Sequence, residues 1–293
     1  MIGRLARLFE LASSPSAVGA CRTVGRPGPQ AGSPTRAGLR KICNVLRPHS
    51  PLRVIPVAND GDELHFCSSC AFSAACLDSG FDKSRLAELH VLVEHVGPFG
   101  AGDFIFREGD AFEAIAAVRS GAVKTFVTDG EGREQVLGFF LPGEVIGLNA
   151  ISQARYPCNA IALETVGLCR FSFPKMATLA TRMPGLQREL FRLLSEDIGK
   201  AALLGGDFAA HERMAAFFVT LSRRYACRGF SATRLRLPMS RTDMGNYLRL
   251  APETVSRVLR RMQDDRLISI QRRDLQLLDM AKLRGLAHAI LRD

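Results

Sequence analysis

PMSRTDMGNYLRLAPETVSRVLRRMQDDRLISI, residues 238–270, is the stretch on which the fold reading turns. Ser240 is a helix-capping residue type, and Asp243 follows three residues later in the acidic position of a capping box. A short helix over 243–248 is expected, then a tight connection through Arg249, Leu250 and Ala251. Pro252 suits the first position of a second helix, because the N–H it lacks would be unpaired there anyway. That helix should run to about Asp265. Val255, Val258, Leu259 and Met262 fall on one face and should pack inward. Glu253, Ser256, Arg257 and Arg260, at i, i+3, i+4 and i+7, fall on the other. Such a face near a helix N-terminus fits a major groove, where Arg pairs with guanine O6 and N7 and Glu accepts from the cytosine amino group. Residues 267–270 and 275–278, joined by a turn containing Arg272 and Arg273, read as a small β wing with its arginines near phosphates.

Working outward, the charge agrees. The chain carries a formal +10, unevenly spread. Residues 1–58 hold nine Lys/Arg against one acid, 59–212 hold 13 against 21, and 213–273 hold 14 against 4. An acidic middle followed by a basic block implies a sensor or assembly domain joined to a polyanion-binding one, with double-stranded DNA as partner. No run approaches the ~18 continuous apolar residues of a membrane span, so a cytoplasmic protein with no membrane partner is expected. Residues 1–62 are Arg-rich and rich in Gly, Pro and Ser. Their composition is like that of a transit peptide, but they read as a disordered leader.

Between leader and wing the pattern changes twice. A cysteine-rich segment at 63–80 is followed by a helical pattern over 81–96, with Leu86, Leu89, Val93 and Val96 on one side. From Gly97 onward, glycines interrupt short β-rich runs such as 104–106, 122–127 and 136–140, with a hairpin turn at 129–132. A domain over 81–180 built as an antiparallel barrel or roll is expected. After Pro174 the repeat becomes helical. Met176, Leu179, Leu186, Leu190, Leu193, Leu194, Ile198 and Leu203 form an apolar seam, a natural dimer contact, with 181–210 as the dimerisation helix. A second helix over 211–225 opens the DNA-binding domain, 211–293. The fold class is α+β.

Eight cysteines in a chain with no visible secretion signal read as metal ligands or redox groups rather than a disulfide framework. Cys67-x2-Cys70-x5-Cys76 supplies three thiolates within ten residues. Completed from elsewhere, the set suits zinc, with His65 a possible ligand, or a [4Fe–4S] cluster. Disulfide chemistry at Cys67 and Cys70 is a third option, though no thioredoxin-like pattern surrounds it.

The winged segment resembles that of the CRP/FNR family of transcription regulators. The resemblance is carried by Met244-Gly-Asn-Tyr-Leu248 and Glu253-Thr-Val-Ser-Arg257, then by Leu221-Ser-Arg-Arg-Tyr225, Arg228-Gly-Phe230, Arg119-Ser-Gly121 and Leu141-Pro-Gly-Glu144, and it extends over nearly the whole chain from His65. It implies a cupin-like β-roll, a long dimerisation helix and a C-terminal winged helix-turn-helix that reads a palindrome. Glu253, Ser256 and Arg257 would read a TTGAT-like half-site, and the 129–134 loop resembles the family's RNA polymerase-contacting hairpin. FNR-type oxygen sensors carry the same cysteine spacing plus one distant Cys in the last strand of the roll. The resemblance therefore implies Cys67, Cys70, Cys76 and Cys169 as ligands of an oxygen-labile [4Fe–4S] cluster that favours the DNA-binding homodimer. Cys158 competes for the fourth position. Cys158 and Cys227 otherwise read as small hydrophobes.

This chain departs from the family pattern in two ways. Ala74 and Ala75 before Cys76 are smaller than the usual neighbour, and the dimer helix ends about a turn early at Gly205 and Gly206. A regulator of the same fold with structural zinc, no metal or another small effector is the alternative. A cyclic-nucleotide sensor would need an Arg-Ser-like pair where this chain has Arg155-Tyr156-Pro157-Cys158. No catalytic triad or phosphate loop supports an enzyme.

Overall fold

The computed structural model describes residues 93–204 and 206–291. The leader, Cys67, Cys70, Cys76 and residues 81–92 of the expected helix lie outside them. Within the described residues the N-terminal half is β1 (Val93–Phe99), β2 (Phe104–Phe106), β3 (Ala114–Ser120), β4 (Val123–Thr128), β5 (Glu134–Phe140), β6 (Val145–Ile146), β7 (Asn159–Ala162) and β8 (Val166–Ser172). They form two antiparallel four-stranded sheets, ordered β1-β8-β3-β6 and β2-β7-β4-β5. The expectation of a helix through Val96 is thus corrected. Val93 and Val96 lie in β1, opposite Phe171 and Leu168 of β8. Their spacing of three matches a helix turn by coincidence, and β8 gains a partner on its second edge.

The strand β3, AIAAVRS, shows no polar alternation because both its faces are covered. Ala116 and Val118 point between the sheets, into a core with Val96, Ile105, Phe106, Val123 and Leu168. Ile115 and Ala117 point the other way, to Phe171, Met176, Leu186 and Leu190. That second layer is made by α1 (Phe173–Ala180) and α2 (Pro184–Leu204). The expected continuous seam from Met176 is therefore broken. Pro184 cannot extend a preceding helix, and Met176, Met183, Leu186 and Leu190 are spent on the roll. Among the described side chains, the large apolar ones that α2 leaves exposed are Phe191 (61%) and Ile198 (71%), two turns apart on one face.

The C-terminal half comprises α3 (Ala210–Ala226), β9 (Arg234–Arg236), α4 (Arg241–Leu248), α5 (Pro252–Asp264), β10 (Ile268–Gln271), β11 (Asp274–Leu277) and α6 (Met280–Ala287). Strands β10, β11 and β9 make one small antiparallel sheet, so the wing has a third strand that the sequence reading lacked. Its helices share a core with Ala122, Val136, Phe139 and Leu141 of the roll. The architecture is the one the resemblance implies: a β-roll, helices, and a winged helix-turn-helix.

Gly121, between β3 and β4, has φ +77, and a Cβ there would lie 2.3 Å from the Thr165 carbonyl oxygen. Gly121→Ala is expected to destabilise the protein by about 2 kcal/mol or more, adding left-handed strain to a backbone clash. Urea unfolding measures it, and a midpoint within error of the wild type would refute the packing at this turn.

Candidate nucleic-acid interface

Ser240 caps α4 as its sequence implies. Its Oγ accepts the Asp243 N–H at 3.0 Å, and its own N–H donates to the Asp243 carboxylate at 3.2 Å. At the far end Arg249 turns left-handed (φ 55), and the Leu250 N–H closes on the Gly245 carbonyl at 2.8 Å. Gly245 is where the two helices meet. A Cβ on it would lie 2.8 Å from the Leu250 oxygen and 3.1 Å from a Val255 methyl.

Pro252 then opens α5, as the missing N–H allows. Val255, Val258, Leu259 and Met262 are buried against the domain core. Glu253, Ser256, Arg257 and Arg260 are all exposed, along one side of the helix. Thr254 Oγ1 accepts from the Arg257 guanidinium at 3.4 Å. From the other end of α5, Gln263 Oε1 accepts the Ile270 N–H at 3.0 Å and so ties the helix to the wing.

Around α5 the backbone does something unusual. Among the described residues the non-glycine positions with positive φ are Arg249, Arg266 and Arg272. They precede α5, follow it, and form the wing turn, and all three are exposed. A side chain in this region costs about 1–2 kcal/mol relative to ordinary backbone. Glycine is the usual occupant; Arg249 and Arg272 were expected at turns, but nothing in the sequence marked any of the three as left-handed.

Two ion-pair clusters help hold this domain to the roll, and neither was legible beforehand. In the first, Glu144 accepts from Arg224 Nε at 2.8 Å and pairs with Arg228 at 2.8 Å. Arg224 also donates to the Phe139 carbonyl at 2.6 Å, and Arg228 to the Pro142 carbonyl. Burial pushes the Glu144 carboxyl up, but the Arg224 and Arg228 charges outweigh it and hold it below the usual carboxylate range. In the second, Lys124 of β4 pairs with Glu134 at 2.7 Å and with Asp243 at 2.8 Å. Burial disfavours the Lys124 charge, yet its bonds to the two carboxylates raise it above its ordinary range. Asp243 is held low against burial by Lys124 and Ser240. Between these contacts Phe139, Phe217 and Tyr247 form an aromatic cluster with ring centroids 5.3–6.4 Å apart.

The two candidate fourth cysteines occupy opposite environments. Cys158 is 1% exposed in the core between the sheets. Burial pushes its thiol up, against a bond from Asn149 Nδ2 at 3.3 Å. Cys169, on β8 opposite His95 and Ala117, is half-buried on the outer face. It packs at the margin of the layer that contains Leu193 and Leu194 of α2. Among the described residues no group of three His, Cys, Asp or Glu could hold a metal ion, and Cys67, Cys70 and Cys76 lie outside them. Inside the roll Tyr156 stacks on Phe106 at 3.9 Å and donates to the Ala114 carbonyl at 2.5 Å. Arg155 is exposed and donates to the Gly109 carbonyl. No described helix is long and apolar enough to cross a membrane.

Residues 212–286 match the family described as the Crp-like helix-turn-helix domain, and residues 97–182 match the cyclic nucleotide-binding domain. The chain is 41% identical over 224 residues to the transcriptional activator protein Anr of Pseudomonas protegens, covering 75% of this chain and 92% of that protein. It is 37% identical to the fumarate and nitrate reduction regulatory protein of Yersinia pestis, covering 75% and 89%. Among solved structures, FixK2 from Bradyrhizobium japonicum superposes with a TM-score of 0.60 at 28% identity, covering 66% of this chain and 96% of that one.

The ion pairs fix the pH response. Glu144 and Asp243 stabilise the fold fully above their ordinary values of 4.5 and 3.8, and lose that contribution as pH falls through their lower folded values. Lys124 stabilises it fully below its ordinary 10.5 and loses the contribution as pH rises through its higher folded value. Unfolding free energy should therefore plateau between these limits. Glu144→Gln, which leaves Arg224 and Arg228 without a counter-charge, should lower the plateau by about 3 kcal/mol and flatten the acid limb. An acid limb unchanged in this variant would show that Glu144 does not shape it.

Proposed function

The chain belongs to the FNR-type branch of the CRP/FNR family of DNA-binding transcription regulators, and from that premise we propose that it controls anaerobic gene expression through an oxygen-labile [4Fe–4S] cluster. The ligands are Cys67, Cys70, Cys76 and Cys169. The observation that carries the assignment is the contrast between two cysteines. Cys169 is half-buried on the outer face of β8, whereas Cys158 is sealed between the sheets. An external thiolate set can reach the first without opening the core. When bound, the cluster supplies an oxygen-reactive cross-link between the 63–80 segment and the last strand of the roll.

Cys169, Leu193 and Leu194 pack against the same apolar layer, so in this reading the order of the strand reaches α2 through that layer. The face of α2 carrying Phe191 and Ile198 is exposed and meets the same face of a second copy. The homodimer then presents two α5 helices to half-sites about one turn of DNA apart. Glu253, Ser256, Arg257 and Arg260 read a TTGAT-like palindrome from the exposed side of α5. Loosening of the Cys169 link shifts the population toward monomer, which spans one half-site only.

The 129–134 hairpin is the RNA polymerase contact in this reading. Its Asp129 carboxylate accepts the Glu131 and Arg133 N–H groups at 2.9 Å, which fixes the turn, while Glu131, Arg133 and Glu134 remain exposed.

Protein purified without oxygen should hold about four irons and four sulfides per chain, with visible absorbance that bleaches in air. Cys169→Ala should lose the iron and Cys158→Ala should keep it. Stoichiometric zinc, or iron lost from the Cys158 variant alone, would overturn the ligand assignment. Arg257→Ala should retain iron and lose discrimination of the palindrome, by about 1–3 kcal/mol at its base. Equal selection by the variant would remove Arg257 from the reading set.

A further inference from the structure

Of the two ion-pair clusters between roll and DNA-binding domain, one touches the helix-turn-helix itself. Lys124 is 7% exposed, on β4, and its amine lies between Glu134 and Asp243. Asp243 is the third residue of α4, and the same carboxylate closes the capping box with Ser240. One turn later the Asn246 amide accepts the Val136 N–H at 2.7 Å and donates to the Glu134 carbonyl. β5 lies at the edge of its sheet, and these are backbone groups that an edge strand otherwise leaves to solvent. The first helix of the DNA-reading motif is therefore fastened to the sensor roll by one buried cation and one side-chain amide.

We propose that Lys124 is a positioning residue for DNA recognition. Through Asp243 it holds the helix-turn-helix in one orientation on the roll, so that a dimer offers its two recognition helices at one spacing. This rests on the reading of a dimer on a palindrome. The geometry favours a device that aids binding over one that blocks it. Glu253, Ser256, Arg257 and Arg260 are exposed while the contact is made, so docking covers none of them. Fixing the domain in the folded protein removes orientational freedom that would otherwise be lost on binding. A domain swinging on the 205–209 connection would adapt to several half-site spacings.

Lys124→Met keeps the length of the side chain and removes its charge, and it leaves the Ser240–Asp243 cap in place. Lys124→Arg keeps the charge. Full-length protein, purified without oxygen, is titrated against the duplex that the wild type selects from a randomised pool. It is also titrated against the same duplex with one base pair inserted at the centre, which rotates the half-sites by about 34°. The wild type should prefer the first by about tenfold, within the usual range for coupled sites. The Met variant should lose most of that preference and the Arg variant should keep it, with iron content and dimer fraction unchanged in both. Asn246→Ala should relax the preference likewise, which keeps the test open if the Met variant does not fold.

An equal fall on both duplexes, with the ratio preserved, would overturn the proposal in favour of a general loss of stability. A rise in affinity would overturn it in favour of a brake. If the wild type selects no paired half-sites, the functional reading fails. The docking role is then decided by hydrogen exchange at the Val136 amide: acceleration in Lys124→Met upholds it, and unchanged protection overturns it.

Discussion

The sheet β2-β7-β4-β5 has an outer face that cannot be left in water. Val136, Phe139 and Leu141 project from it and are 2–5% exposed, yet α1 and α2 cover the other sheet. Their cover is the DNA-binding domain, whose Phe217 and Tyr247 close over Phe139. Burial of three large apolar side chains is worth several kcal/mol, roughly 1.5–3 each. The polar contacts then select one arrangement among those that would bury the same area. Removing one partner of the Glu144 cluster strands a buried charge, so the seam discriminates strongly between registers even though the net worth of such a pair is small. Roll and DNA-binding domain are parts of one folded body for that reason, and the orientation of α5 inherits the orientation of the roll.

How much of this was legible depended on range. Ser240, Asp243, Pro252 and the apolar face of α5 act within a few residues of one another, and their sequence spacing specifies them. The β-roll was legible because glycines and β-branched residues mark each turn and strand locally. The seam was not: Lys124 and Asp243 are 119 residues apart, and Arg224 and Glu144 are 80 apart. A lone lysine in an apolar strand reads as a solvent-facing residue until its partner is seen. Arg224 and Arg228 were noticed only as bearers of a family likeness.

The two corrections share one physical cause. Val93 and Val96 share a helix face by their spacing, but in a strand that odd spacing sends them to opposite layers, and the free edge of β8 decides for the strand. Leu186 and Leu190 likewise satisfy a dimer seam and a core contact, and the roll claims them. Apolar periodicity says that a face is buried without naming what buries it. The same limit applied to the cysteines. Sequence spacing leaves both Cys158 and Cys169 open as the fourth thiolate, but Cys158, just before β7, is buried between the sheets, whereas Cys169 lies on the outward side of β8.

Arg249, Arg266 and Arg272 carry a consequence for how such a domain can change. Glycine at any of the three would relieve left-handed strain of roughly 1 kcal/mol, at the loss of one positive charge beside the recognition helix. A library of variants selected only for heat resistance should therefore drift to glycine at these codons and shed three cationic side chains in doing so. Thermostability and attraction to a polyanion pull the same three positions in opposite directions.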